Sequence, residues 1–394
     1  MINLEEYPLG IDYRNKVTPM KIAIIGTAYP YRGGLAAYNE RLATQFQNEG
    51  HQVKIYTFTV QYPNFLFPGK TQYSTDPGPT HLDITRCINS TNPLNWFEVG
   101  NRIRKEKFDL VMVRFWLPFM GPCFGTILRQ VRKNRHSKII CLVDNMIPHE
   151  ARVGDKIFTQ YFVKPIDGYI AMTKTVLADI AVFDPDAPKL LSPHPLFDNF
   201  GEPLERTEAL SRLGLDAEFQ YALFFGLIRG YKGLDLLLEA FADVRFRGRK
   251  LKLIIAGEFY ANPDQYLAII EQHQLAEDII HVNHFIPDSE VAVYFSAADL
   301  VVQPYKSATQ SGVTQIAYHF NKPMIVTDVG GLKEMVPHEK VGFVVPTEPL
   351  AIADAMLRFF DEDWTERMQE AIEKEKAKYS WEILTNNFMS FFDK

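Results

Sequence analysis

The stretch "LFFGLIRGYKGLDLLLEAF", residues 223–241, joins an apolar strand pattern to an amphipathic helix pattern. The strand pattern ends at Gly226, and Arg229 and Lys232 stand in the turn before the helix pattern begins. A strand that turns directly into a helix is the repeating unit of a doubly wound α/β fold. Two cations beside a helix start favour a bound phosphate. A solvated Arg and Lys on an ordinary loop is the alternative.

The same stretch argues against two common nucleotide-binding classes. It contains neither the GxxxxGK[ST] pattern of a Walker loop nor the GxGxxG pattern of a dehydrogenase. An ATPase is therefore not indicated. A Rossmann-type oxidoreductase is a weak alternative, because no dinucleotide fingerprint follows the first strand pattern, "IAIIG".

Short β-branched runs alternate with helical patterns along almost the whole chain of 394 residues. The first series is "KIAIIG" at 21, "QVKIYTF" at 52, "DLVMVRF" at 109, "KIICLV" at 138 and "GYIAMT" at 168. The second series is "YALFFG" at 221, "LKLIIAG" at 251, "DIIHVNHF" at 278, "DLVVQPY" at 299, "KPMIVTD" at 322 and "VGFVVP" at 341. Strands spaced by helices indicate parallel sheets, so we predict an α/β fold of two Rossmann-like doubly wound domains facing each other across a cleft.

The Pro-dense stretch "SPHPLFDNFGEP", residues 192–203, lacks periodicity and is the predicted hinge. We place the first domain at residues 20–192 and the second at 193–380, followed by a C-terminal helix at 381–394. "MKIAIIG" at Met20 looks like a natural start, so residues 1–19 are predicted to be an extension or to follow a misassigned start codon.

The composition is that of an ordinary globular protein, with 46% hydrophobic and 23% charged residues. The net charge of −6 gives no support to nucleic acid as a partner. Three widely spaced cysteines show no metal-ligand pattern and favour a reduced, cytoplasmic setting. The first residues do not form a secretory signal, and no apolar run reaches the roughly 18 to 20 residues of a membrane span. A peripheral place at the inner face of a membrane stays open.

A second anion site is predicted in "YKSATQSGVTQIAYHF", residues 305–320. Thr309, Gln310, Ser311 and Gly312 have the character of an exposed first turn of a helix, whose backbone N–H groups are free to bind an anion. The alternative is that Thr309 or Ser311 is merely an N-cap. Together with the cations at the mouth of the same sheet, this turn favours a diphosphate.

Four segments of the second domain carry a family resemblance. "GLIRGYKGLDLLLEAF", "LKLIIAGE", "HFIPDSEVAVYFSAADLVVQPY" and "NKPMIVTDVGGLKEMV" occur in this order across residues 220–360. They resemble the C-terminal domain of glycosyltransferase family four, also called glycosyl transferases group 1, which has the GT-B fold. The first domain agrees more weakly through "GTAYPYRGGLAAYNERLATQFQNEGHQV", in which Gly33 and Gly34 match the acceptor-side loop of the family.

The resemblance implies roles for particular residues. Arg229 and Lys232 would neutralise the diphosphate leaving group of a nucleotide sugar, and the amides from Ser311 to Val313 would cap its distal phosphate. The implied donor-binding residues are Thr309, Gln310, Ser311, Gly312, Val313, Gln315 and Ile286. The implied activity is a retaining, metal-independent transfer of a hexose-like sugar to a glycan or lipid-linked acceptor, with no cofactor beyond the nucleotide-sugar substrate. It also implies that the last helix packs back on the first domain.

The chain departs from the family at two acidic positions. The family usually has a glutamate just before the small-residue helix start and a second one eight residues on, whereas this chain has "TQSGVTQIAY" there. Neutral amides still hydrogen-bond hydroxyl groups but supply no charge. The alternative function is therefore a non-catalytic GT-B binding or assembly partner that has lost turnover.

Two further segments offer candidates in the first domain. In "VDNMIPHE", residues 143–150, Asp144 stands where many relatives carry a histidine, and Asp144 and His149 are candidate catalytic residues. Glu150 is a candidate for acceptor contact, and capping of the next segment is the alternative for His149 and Glu150. Trp116 in "RFWLPFMGP" is a candidate acceptor wall, with a place in the core as the alternative.

Two other motifs have ordinary explanations. "DED" at 361–363 matches the DxD of metal-dependent glycosyltransferases, yet it directly precedes a helix pattern and fits an N-cap better, so we predict no metal site. The basic "LRQVRKNRHSK" at 128–138 is either a contact with an anionic membrane or lipid phosphate, or a cationic helix end favoured by the dipole.

Overall fold

Two parallel β-sheets form the centres of two domains. The structure, a computed structural model, describes residues 18–63, 71–148, 153–260, 262–308 and 311–392. The first sheet has the order β3-β2-β1-β4-β5-β6-β7, and the second has the order β10-β9-β8-β11-β12-β13. The strands of the first sheet are Lys21–Ile25 (β1), Gln52–Val60 (β2), Asp83–Asn89 (β3), Leu110–Phe115 (β4), Lys138–Val143 (β5), Gly168–Ala171 (β6) and Lys189–Leu191 (β7). The strands of the second sheet are Gln220–Phe225 (β8), Leu251–Ala256 (β9), Ile279–Val282 (β10), Leu300–Gln303 (β11), Met324–Thr327 (β12) and Gly342–Val345 (β13). The predicted fold class is confirmed.

Helices cover both faces of each sheet. Those of the first half are Gly34–Asn48 (α1), Pro93–Glu106 (α2), Gly121–Arg132 (α3), Asp155–Val163 (α4), Lys174–Phe183 (α5) and Arg206–Leu213 (α6). Those of the second half are Leu234–Phe241 (α7), Asp264–Gln272 (α8), Val291–Ala297 (α9), Gly312–His319 (α10), Leu332–Met335 (α11), Pro349–Asp361 (α12), Trp364–Glu375 (α13) and Trp381–Met389 (α14). No helix in the described part of the chain combines the length and the apolar character needed to cross a bilayer.

The central strands form where the sequence is continuously apolar. Every residue of β4 is buried, and so is every residue of β8 after Gln220, because helices cover these strands on both faces. The sequence prediction missed β3 and β7, the two edge strands of the first sheet. Most β3 residues are partly or fully exposed, and β7 has three residues, so neither shows a buried apolar run.

The order of each sheet reverses at its first strand. In the first sheet β1 pairs with β2 on one side and with β4 on the other. In the second sheet β8 likewise pairs with β9 and β11. Ligands of open α/β sheets bind beyond the carboxyl ends of the strands at such a reversal. The loops after β1 and β8 are therefore the places to look for a site.

The last helix lies against the first domain. Thr385 in α14 donates a hydrogen bond to the Glu49 carboxylate at 2.7 Å, and the ring of Phe388 packs 5.8 Å from that of Phe46 in α1. The indole of Trp381 donates to the carbonyl of Leu196 in the linker at 2.8 Å. The chain thus passes between the domains twice, once through the linker and once before α14.

Candidate functional site

The turn after β8 brings its lysine over a glycine. Gly226 has φ +95°, a conformation that other residues rarely adopt, and the ammonium nitrogen of Lys232 lies 3.1 Å from where a Cβ at Gly226 would stand. Gly233 (φ +69°) is the residue directly before α7, and a Cβ there would lie 1.9 Å from the Pro304 carbonyl oxygen. The glycines of this turn therefore make room for the lysine and for the neighbouring strand.

Lys232 carries a positive charge in a poorly solvated place. Burial, and in second place the charge of Arg229, lowers the pKa of Lys232 to about 8. Among the described residues no carboxylate pairs with either cation. Lys232 instead faces the ring of Tyr305 at 5.6 Å, and Arg229 faces that of Tyr260 at 5.0 Å. Two unpaired cations in one turn form a site for an anion.

The start of α10 faces the same space. Ser311 is the N-cap; its hydroxyl accepts from the Thr314 amide at 3.4 Å and donates to Gln303 at 2.6 Å. This side chain is thus committed to the helix, as the N-cap alternative states. The amides of Gly312 and Val313 belong to the first turn, where backbone donors lack partners within the helix. These two amides and the positive end of the helix dipole are therefore available to an anion.

Both domains contribute to the cavity in which these groups meet. It has a volume of about 420 Å³ and is lined by residues that include Gly33, Gly34, Arg229, Lys232, Ser311, Gly312, Val313 and Ile286. Gly33 is the N-cap of α1, so this second helix also begins at the cavity. Phe197 of the linker lies between the helix starts. A Cβ would come within 3.8 Å of its ring at Gly34 and 2.8 Å at Gly312.

An ion pair joins the domains at the wall of this cavity. The guanidinium of Arg32, in the loop after β1, donates to the carboxylate of Glu258, just after β9. Both side chains are almost fully buried, and the Arg32 guanidinium also lies over the ring of Phe285 at 4.1 Å. In this closed arrangement each buried charge has the opposite charge of the other domain beside it.

Four carboxyl groups and three arginines are among the side chains that line an adjoining cavity of about 670 Å³, which also lies between the domains. Burial raises the pKa of Glu40 to about 7, against the hydrogen bond that its carboxylate accepts from the Tyr29 amide at 2.6 Å, and the charge of Asp288 raises it further. Burial, followed by the charge of Asp76, raises the pKa of Asp288 to about 6. Asp288 lines both cavities, so a carboxyl group also lies in the cavity that holds Arg229 and Lys232.

Asp144 lies inside the first domain rather than on the cavity. Its carboxylate accepts from Nε and Nη2 of Arg114 at 2.6 and 2.8 Å, and Asp144 is 5% exposed. The Arg114 guanidinium in turn lies over the ring of Tyr38 at 3.9 Å. This carboxylate neutralises a buried arginine at the ends of β4 and β5, and a catalytic role of Asp144 stays a prediction.

Two other predicted residues also lie away from the cavity. Gln315 is fully buried in α10, with both amide atoms lacking a hydrogen-bond partner among the described residues. Ile316, the next residue, lines the cavity instead. Trp116 is partly buried, packs against the core of the first domain and donates from its indole to the hydroxyl of Tyr62 at 2.7 Å, which is closer to the core alternative. His149, Glu150, Thr309 and Gln310 lie outside the described residues.

The "DED" motif lies at the end of α12 and enters surface ion pairs. Asp361 pairs with Arg249 at 2.5 Å, and Glu362 pairs with Arg358 at 3.1 Å. Asp363 occupies the N-cap position of α13, but its side chain makes no capping hydrogen bond. Within the described ranges, no group of three or more His, Cys, Asp or Glu side chains is arranged to hold a metal ion.

Sequence reasoning missed the residues that depend on contact between the domains. Arg32, Glu40, Phe197, Glu258 and Asp288 line the two cavities, and none of them was predicted. Arg32 directly precedes the quoted "GG", and Asp288 lies within the quoted "HFIPDSE", so closeness to a recognised motif was the available signal. Their pairing across the cleft has no signature in a single sequence.

Two facing Rossmann-like domains, with cations and a helix start at the reversal point of the second sheet, define the class of GT-B glycosyltransferases. The sequence model of the family Glycosyl transferases group 1 matches residues 220–362. This match covers most of the second domain, and the chain is a glycosyltransferase, as predicted.

Curated relatives extend the similarity to the first domain. The chain is 26% identical over 381 residues to the D-inositol 3-phosphate glycosyltransferase of Frankia alni, covering 89% of this chain and 91% of the relative. It is 29% identical over 308 residues to the protein of the same name from Corynebacterium glutamicum, covering 74% and 73%.

Solved structures share the fold over nearly the whole chain. Sucrose-phosphate synthase of Thermosynechococcus elongatus has a TM-score of 0.74 at 18% identity, covering 95% of this chain and 98% of the other. HepE of Anabaena, solved in complex with UDP and glucose, has a TM-score of 0.71 at 14% identity, covering 95% and 99%. These likenesses show the GT-B arrangement of the two domains.

The buried ion pair leads to a prediction about Asp144. Asp144→Ala should lower the free energy of unfolding by about 3 to 5 kcal/mol, because it leaves the Arg114 charge buried without a partner. The measurement is urea unfolding followed by circular dichroism. Glu218→Ala, which breaks the exposed pair of Glu218 with Lys250, should cost about 1 kcal/mol or less. Unchanged stability in Asp144→Ala together with lost activity would return Asp144 to the reacting groups.

The lowered pKa of Lys232 predicts how anion binding depends on pH. Without an anion Lys232 loses its proton above about pH 8, whereas a bound anion favours the charged form and raises the pKa. Affinity for pyrophosphate should therefore be fully present below pH 8 and should fall as the pH rises beyond it, by up to about tenfold per pH unit. Calorimetric titration at pH 8.5 in two buffers of different ionisation enthalpy should show proton uptake.

Lys322 provides the control for this measurement. Burial also lowers its pKa to about 8, but Lys322 donates to the Ser296 carbonyl at 3.2 Å and does not line the cavity. Lys232→Met should abolish the proton uptake, and Lys322→Met should preserve it. Equal uptake in both variants would mean that the anion is bound elsewhere.

Proposed function

We propose that this glycosyltransferase uses a nucleoside diphosphate sugar as its donor and transfers the sugar, with retention of configuration and without a metal ion, to a glycan or lipid-linked acceptor. One observation carries the proposal: Lys232 is half-buried close to Arg229 at the edge of a cavity, and the described residues supply neither with a carboxylate partner. A diphosphate is the ligand that would supply the missing negative charge.

The shape of the cavity supports a nucleotide as the carrier of that diphosphate. A volume of about 420 Å³ falls within the range of small-molecule sites. Apolar side chains, among them Phe225, Phe285, Ile286 and Ile316, continue the lining away from the cations. Such a wall suits the flat face of a base. HepE, whose fold this chain shares, is solved with UDP and glucose, which agrees with this class of donor.

The proposed reaction breaks the bond between the sugar carbon and the diphosphate oxygen and forms a bond from that carbon to an acceptor oxygen. The products are the glycosylated acceptor, a nucleoside diphosphate and the proton of the acceptor hydroxyl. Negative charge grows on the leaving oxygen during this step, and fixed cations that meet it lower the barrier. Arg229, Lys232 and the α10 amides have this role in the proposal, and retention follows from the family resemblance.

The acceptor is proposed as a class only. The curated relatives are named for D-inositol 3-phosphate, a small phosphorylated polyol, whereas the proposal here is a glycan or lipid-linked acceptor. A third space of about 450 Å³ between the domains suits acceptor entry, since Ile147 and Pro148 of the first domain meet Lys306 and Gly330 of the second there. Peripheral contact with a membrane belongs to the same proposal.

Removal of either cation tests the donor assignment. Arg229→Ala and Lys232→Ala should each weaken nucleoside diphosphate binding by about ten- to a hundredfold, because each charge-assisted contact contributes roughly 1.5 to 3 kcal/mol. Turnover should fall further than binding, since the leaving oxygen gains charge in the transition state. Calorimetry with a panel of nucleoside diphosphates, alongside release of diphosphate from sugar nucleotides, measures both effects. Arg249→Ala is the matched control, because it removes a surface cation that pairs with Asp361 and does not line the cavity. Unchanged affinity in both well-folded variants would refute the assignment.

Chelation tests metal independence. With Arg229 and Lys232 already facing the leaving group, transfer should proceed at an unchanged rate in millimolar EDTA. The measurement is the initial rate of nucleoside diphosphate release with and without the chelator. A rate that falls in EDTA and recovers with Mn²⁺ or Mg²⁺ would contradict the proposal.

A further inference from the structure

The helix α4 and the turn before it expose a row of large apolar side chains. Ile157 and Tyr161 are four residues apart in α4, so they lie on one face of the helix, and Val153 stands in the turn just before it. Val153 is fully exposed, Ile157 is 69% exposed and Tyr161 is 38% exposed. Together with Ile147 they supply four of the twelve exposed large hydrophobic side chains of the described residues, within fifteen positions of the chain. This is a patch rather than scattered exposure.

Cations flank this row. Lys156 and Lys164 of the same helix are exposed, and neither pairs with a carboxylate among the described residues. Val153, Lys156, Ile157, Tyr161 and Lys164 are hereafter called the α4 surface. Asp155 is the acidic residue in the first turn of α4, and Asp167, beyond the end of the helix, is paired with Arg132 at 2.6 Å.

The helix is held rigidly enough to present this face. Its partner α3 packs so closely that a Cβ at Gly121 would come within 2.5 Å of the Phe158 carbonyl oxygen. Arg129 of α3 stacks over the ring of Tyr161 at 3.6 Å and donates to the Tyr161 carbonyl at 2.6 Å. Lys133 and Arg135, just beyond α3, add exposed positive charge nearby.

An anionic bilayer fits this combination better than a second protein surface. Apolar side chains on one helix face with lysines at the border are typical of helices that lie in the boundary between lipid headgroups and acyl chains. Lysine reaches the headgroups with its ammonium while its stem covers apolar surface, and tyrosine is favoured at that depth. The whole chain has a net charge of −6, so attraction to an anionic surface has to come from a local cluster.

We propose that the α4 surface docks on the anionic face of a lipid bilayer, with Ile157 and Tyr161 among the upper acyl chains and Lys156 and Lys164 among the headgroups. The position of the α4 surface relative to the cleft agrees with this docking. Pro148, which lines the third space between the domains, stands five residues before Val153 in the chain. A lipid-linked acceptor held in that bilayer would enter there, and this last step rests on the proposed function.

Vesicle flotation with the full-length protein tests the contact. Vesicles of phosphatidylcholine containing one third phosphatidylglycerol should carry the protein, and pure phosphatidylcholine vesicles should carry at least tenfold less. Ile157→Glu should reduce binding to the anionic vesicles at least tenfold, and Ile157→Trp should increase it. Val244→Glu is the matched control, because Val244 is 70% exposed on the other domain. Thermal melts confirm that each variant is folded.

Several results would overturn the docking proposal. They are no flotation with anionic vesicles, equal binding by Ile157→Glu and Val244→Glu, or sedimentation velocity that shows a dimer which Ile157→Glu dissociates. The last result would assign the surface to a second copy of the chain. Nucleoside diphosphate binding is measured in parallel and should be the same in Ile157→Glu as in the wild type. Absence of that binding in the wild type would reject the proposed function while leaving the flotation result intact.

Discussion

The positive charge of Lys232 is the constraint on which the organisation of the cleft depends. An ammonium group loses much of its hydration when it is buried, and here its pKa falls to about 8 as a result. A structural lysine in such a place normally gains a carboxylate partner, but the described residues place Arg229 beside it instead. The repulsion between these two side chains is unfavourable in the empty protein. A ligand with two or more negative charges removes it, so the empty site is prepared for that ligand.

The fold brings helix starts and loops to this one position. Both sheets reverse their order at their first strand, and the loops after β1 and β8 therefore open toward each other across the cleft. The starts of α1 and α10 arrive at the same cavity, with Phe197 of the linker between them. Because glycines occupy positions 34 and 312, the backbone comes close to that ring and its amides stay accessible. Residues far apart in the chain thus form one binding surface through topology alone.

The sequence was sufficient for the parts of the structure that depend on local pattern. Strands covered on both faces, such as β4 and β8, appear as unbroken apolar runs, whereas the edge strands β3 and β7 have no such run and were missed. The turn from Gly226 to Gly233 was also predictable, because both glycines adopt a positive φ that few other residues adopt.

Side-chain contacts over long distances were not predictable in the same way. Asp144 follows a strand, and that position in the sequence predicts a place at the cleft. Its carboxylate instead pairs with Arg114, thirty positions earlier. Gln315 follows a helix start, but the rotation of α10 turns it into the domain and leaves Ile316 on the cavity. Arg32 and Glu258 meet only because the domains close. Each of these outcomes depends on which elements pack together, which a single sequence does not state.

The charged side chains of the two cavities bear on how the proposed donor would lie in the cleft. Arg229 and Lys232 attract the diphosphate, while Asp288 and Glu40, which have no cationic partner among the described residues, repel it. Carboxylates accept hydrogen bonds and donate none when ionised, so these two side chains suit hydroxyl groups of the donor. The raised pKa values of about 7 for Glu40 and about 6 for Asp288 mean that one of the two groups keeps a proton for part of the time near neutral pH. That proton reduces the repulsion between carboxyl groups of different domains, and the same pair of side chains therefore affects both the closing of the cleft and the direction of the ligand within it.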